Sequence, residues 1–73
     1  MEQYLGIFNV DGKRKDWYFN AKNDEKSKDE AELWREEIAK YERKKQEKVI
    51  LFGVFRIIWK DRTKNDFVLK EIK

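Results

Sequence analysis

The 73-residue sequence contains no cysteine, no histidine and no proline, and only one serine and one threonine. Without cysteine there is no disulfide framework, and without cysteine or histidine the usual zinc, haem and iron–sulfur ligand sets are missing. The hydroxyls outside tyrosine are Ser27 and Thr63, no imidazole is present to activate either, and general acid–base chemistry would fall to carboxylates alone. These absences point away from an enzyme, a cofactor or a small-molecule substrate. A domain of this length buries only about 60% of the surface its unfolded chain exposes, so stability is expected from dense aromatic packing or from a second subunit.

Long apolar runs are also missing. The longest, Val49 to Trp59, is eleven residues and includes Arg56, well short of the roughly 20 that span a bilayer as a helix. No apolar segment of signal-peptide type follows Met1-Glu2-Gln3. A soluble, cytoplasmic protein with no membrane association is the expectation, and the lack of cysteine agrees with that compartment.

What the chain does have is charge and aromatic residues: 45% charged, 40% hydrophobic and 15% aromatic, with a net charge of +3. The aromatic and β-branched content is too high for a solvated, disordered polyelectrolyte. No linker composition or internal repeat divides the sequence, so residues 1–73 read as a single domain.

Tyr4 to Val10 and Lys15 to Asn20 flank Asp11-Gly12, a dipeptide suited to the positive φ angles of a type I′ hairpin turn. Ser27 followed by Glu30 has the form of a capping box, which predicts a helix from about Lys28 to roughly Lys45. Within it Ala31, Trp34, Ile38 and Tyr41 recur at helical spacing, with Leu33 on the shoulder, and acidic residues lead while basic ones follow, matching the helix dipole. Val49 to Lys60 and Asp66 to Ile72, rich in β-branched and aromatic residues, read as a second hairpin around Asp61 to Asn65.

The fold class expected is therefore α+β: a ββαββ domain whose two hairpins form an antiparallel or mixed four-stranded sheet, with one helix on one face. In architecture this order is similar to the β-grasp arrangement of ubiquitin and of small immunoglobulin-binding domains. That likeness implies first and last strands running parallel in the centre.

The strands carry 21 apolar residues and the helix five. One helix covers one sheet face, yet Val49 to Trp59 offers apolar side chains to both, where a half-solvated strand would alternate. A bulge at Gly53 would exchange the two sets without making either polar. The uncovered set is expected to centre on Phe52, Val54, Ile58 and Val68, rimmed by Arg56 and Lys70, with Leu5, Ile7, Tyr18 and Ile72 contributing. Such a patch exceeds what a soluble monomer usually exposes, so homodimerisation or a protein partner is expected to cover it. Thirteen lysines against five arginines, with three alanines, suggest an AT-rich coding sequence, and a regulator or inhibitor from a virus or mobile element would fit.

A second reading is a small basic nucleic-acid-binding protein. Lys13, Arg14, Lys15, Arg62 and Lys64 sit at hairpin tips near aromatic strands, where phosphate contact and base stacking combine. Against it, the charge is spread: residues 1–25 sum to −1, 26–48 to +1 and 49–73 to +3. If the second and third strands are parallel, the two tips also lie at opposite ends of the sheet. Asp61 and Asp66 bracket a loop but lack the ligand pattern of a calcium site, and read as solvated turn residues.

Overall fold

A computed structural model describes residues 1–73. The elements are β1 (Glu2–Val10), β2 (Lys13–Ala21), α1 (Asp24–Tyr41), a short 3₁₀ turn (Gln46–Lys48), β3 (Val49–Asp61) and β4 (Asp66–Ile72). They form one four-stranded sheet in the order β2-β1-β3-β4, with every neighbouring pair antiparallel. The α+β class and ββαββ order stand. The central strands are β1 and β3, with β4 at an edge, so the β-grasp order with a parallel first-and-last pair does not apply. No helix is long and apolar enough to cross a membrane.

The first hairpin follows from its turn. Asp11 and Gly12 both take positive φ, 51° and 87°, the geometry whose twist matches the flanking strands. The Asn9 side chain accepts from Gly12 N at 2.8 Å, and Asp11 N donates to Lys48 O, fixing this turn beside the start of β3.

The helix begins a full turn before Lys28. Asn23 is the cap, its side chain accepting from Lys26 N at 2.9 Å. Ser27 is instead fully buried inside the helix, with its hydroxyl donating to Asp24 O at 2.6 Å. The reason is packing: Ser27, Ala31, Trp34 and Ile38 form one stripe, and a small residue at its head lets the first turn lie on the sheet. At the other end the helix stops at Tyr41, not Lys45. Arg43 enters the left-handed region at φ 56° and Lys44 N reaches back to Ala39 O, a Schellman closure. Tyr41 is 76% exposed, so it lies outside the core stripe.

Under the helix the core comprises Tyr4, Phe8, Val10, Phe19, Val49 and Val54 from the sheet with Ala31, Ile38 and Ala39 from the helix. Trp17 and Trp34 meet at its side, ring centroids 5.3 Å apart. The Phe8 ring lies over Gly6, where a β-carbon would come within 2.8 Å of it; this close approach is why glycine stands there.

Two polar clasps hold the helix ends. At the N-terminus the Tyr4 hydroxyl donates to Asp24 at 2.7 Å, and Arg56 bridges Glu2 at 3.0 Å and Asp24 at 3.6 Å. Burial and that hydrogen bond push the Tyr4 phenol up to about 12, because ionisation would place a desolvated phenolate beside a carboxylate. At the C-terminus Lys15 pairs with Glu42 at 2.6 Å and Lys44 with Asp11 at 3.2 Å.

Candidate interaction surface on the helix-free face

The face without the helix is set by a bulge. Ile7 pairs with Gly53 and Phe8 with Leu51, so Phe52 is the extra residue on β3. Beyond it the alternation inverts: Val54 turns under the helix and is 3% exposed, while Phe55, Ile57 and Trp59 turn to the bare side. The expected uncovered set is corrected accordingly. Cross-strand pairing joins Arg56 to Lys70, Ile58 to Val68 and Val54 to Ile72, so five of the six expected residues, all but Phe52, lie on the helix-bearing side. Val54 is core, Arg56 is held in the N-terminal clasp, and Phe52 protrudes at the bulge with 66% of its surface open. Ile58 and Val68, at 42% and 40%, are exposed because β3 and β4 run on past the helix start. The structure brings Ile58, Val68 and Lys70 together on the outer hairpin and separates them from Phe52.

The helix-free face itself carries Leu5 and Ile7 from β1, Tyr18 from β2, Phe55, Ile57 and Trp59 from β3, and Phe67 and Leu69 from β4. Leu5 and Ile57 are buried with no helix above them. In keeping with the coiling of twisted sheets, the β3–β4 hairpin shares one groove with β2, Trp59, Asn65 and Phe67 lining it opposite Tyr18 and Asn20. It is fastened by Trp59 Nε1, which donates to Gln3 Oε1.

Between the two arms lies an open groove of about 440 Å³, lined on this face by Tyr18, Ile57, Trp59 and Phe67 with the amides of Gln3, Asn20 and Asn65. None of these side chains is charged, in a chain that is 45% charged. Trp59 and Phe67 meet edge to face at 5.2 Å, and the Arg62 guanidinium stands 5.3 Å from the Trp59 ring. An aromatic lining with uncharged hydrogen-bonding groups is what the centre of a protein-binding patch offers. The amides orient a bound chain without the desolvation penalty of a buried ion.

The basic residues are divided as the topology requires. Lys13, Arg14 and Lys15 sit at the first turn, Arg62 and Lys64 at the opposite end of the sheet beyond β3. Arg14 is paired with Asp16 at 2.8 Å, which raises its pKa, and Lys15 with Glu42. In the second turn Asp61 accepts from both the Thr63 hydroxyl, at 2.6 Å, and Thr63 N, at 3.0 Å. Those bonds hold its carboxyl below the usual range. Asp61 is thereby a turn-stabilising group. The groove was not foreseen as a site, since its lining comes from all four strands and the second turn. No family model matches the chain, and no curated protein or solved structure matches it either.

Proposed function

We propose that the protein is a non-enzymatic interaction module that binds a protein partner in the groove of its helix-free face, as a regulator or inhibitor of that partner. The observation that carries this is the uncharged aromatic lining, Tyr18, Trp59 and Phe67 beside Gln3, Asn20 and Asn65. The occupant that fits is an apolar peptide segment whose backbone satisfies the three amides. Peptides selected from a random displayed library against the immobilised protein should perturb the amide resonances of Gln3, Tyr18, Trp59 and Phe67. Selected peptides that map to the exposed side of α1 or to the hairpin turns would count against this reading.

The second reading, single-stranded nucleic acid, is favoured by Arg62 over Trp59 beside exposed aromatics. It predicts binding to oligonucleotides that weakens steeply with salt and is lost in Arg62→Ala. No binding at low salt eliminates it.

A further inference from the structure

β4 is an edge strand of seven residues without proline, and such an edge presents unpaired backbone groups that a second chain can meet. Val68 and Leu69 on it are 40% and 44% exposed, and Ile58, paired with Val68 across the hairpin, is 42% exposed. The other edge, β2, opens with Lys13-Arg14-Lys15, a like-charged run that repels its own copy.

The order of residues on β4 selects one self-pairing. A two-fold axis normal to the sheet pairs antiparallel copies of β4 so that facing residues share a side of the sheet. With Val68 on the axis, Phe67 faces Leu69 of the second copy and Asp66 faces its Lys70, each contact occurring twice. Shifting the axis to Leu69 sets Phe67 against Glu71 and Val68 against Lys70; shifting it to Lys70 sets two ammonium groups face to face. Within one protomer neither Asp66 nor Lys70 forms an ion pair. Four residues apart on one strand, they stand about 13 Å from each other.

We propose that the protein forms a two-fold dimer by antiparallel pairing of β4 with β4 about Val68, in which Asp66 of each chain meets Lys70 of the other. Eight strands then run continuously, both helices lie on the same side, and the Ile58–Val68 pairs of the two chains close over one another. This interface is an edge that meets the groove of the helix-free face only at Phe67, whereas Tyr18, on the opposite edge strand, belongs to the groove alone.

The test is light scattering coupled to size exclusion over a dilution series of the full chain and three variants. Wild type should pass from dimer to monomer on dilution. Lys70→Asp and Asp66→Lys should each raise the dissociation constant by about tenfold or more, because two attractive pairs become two repulsions. The combined Asp66→Lys/Lys70→Asp variant should recover the dimer. Both reversals keep the fold, since position 70 faces Arg56 and position 66 faces Asp61 on β3. A wild-type monomer at every concentration overturns the proposal. So does a dimer indifferent to the single reversals, or one that the double reversal does not restore. Peptide binding by Tyr18→Ser, a change on the opposite edge strand, reports separately on the groove.

Discussion

The two faces of the sheet contain comparable apolar material and treat it differently. On the helix side Tyr4, Phe8, Ile38 and Val49 are almost wholly out of water, with an ion cluster and a capped helix holding the lid in place. On the bare side Leu5 and Ile57 are buried with no helix above them, while Tyr18 and Leu69 stay 61% and 44% exposed. Packing that is closed by a covering element serves stability, since burial is complete. Packing left open around an uncharged groove contributes less to folding and leaves surface for a partner.

The two faces should differ most when a large side chain is removed from each. Phe8→Ala removes a ring with no exposed surface and should lower the unfolding free energy by about 3–5 kcal/mol in urea titration. Tyr18→Ser should cost about 0.5 kcal/mol or less. Equal losses would erase the distinction between the faces.

The two glycines give a smaller, paired contrast. A β-carbon at Gly6 meets Phe8 at 2.8 Å beneath the helix, whereas one at Gly53 meets Phe55 at 3.2 Å on the bare side. Gly6→Ala should cost about 1–3 kcal/mol, because the Phe8 ring has nowhere to go. For Gly53→Ala the loss should stay under about 1 kcal/mol, since the Phe55 ring can give by a few tenths of an ångström.

Alkali offers a third probe, specific to the covered face. The Tyr4 phenol titrates at about 12 in the folded chain, against about 10 when unfolded. Between those values the unfolded state holds fewer protons, so stability falls as pH rises. The contribution is complete below pH 10 and gone above 12. In Tyr4→Phe that segment of the pH–stability curve should flatten; an unchanged curve would place the alkaline transition elsewhere.

Loosening the lid at its cap should cost far less than removing the Phe8 ring. Asn23→Ala removes the cap bond to Lys26 N and should cost about 1 kcal/mol, with faster amide exchange at Lys26 and unchanged exchange at Ile57 and Trp59. Acceleration in both places would mean that the bare face depends on the helix after all.

How far this contrast was legible in the sequence depended on the range of the interaction. Asp11-Gly12 fixes its hairpin locally, and the strand boundaries of the second hairpin follow from its own composition. Ser27 misled because serine suits both a helix cap and a tight helix–sheet contact; its spacing to Ala31, Trp34 and Ile38 was the signal that the stripe continued upstream. The bulge at Phe52 decided which side chains faced the helix, and alternation carries no parity across an inserted residue. Gly53 marked the place, but whether β3 shifts there is decided by its pairing with β1. The imbalance between helix and strands was therefore readable, while the identity of the open face was not. The groove needed one step more, the coiling that sets Asn65 near Gln3 and Asn20.

In the proposed function the covered face folds the chain and the bare face binds. The most direct measurement is a urea titration of the Tyr18→Ser/Phe67→Ser double variant, paired with its affinity for peptides selected against wild type. The double variant should unfold within about 1–2 kcal/mol of wild type and lose peptide binding. A variant that unfolds as readily as Phe8→Ala, or one that binds the peptides unchanged, would contradict that proposal.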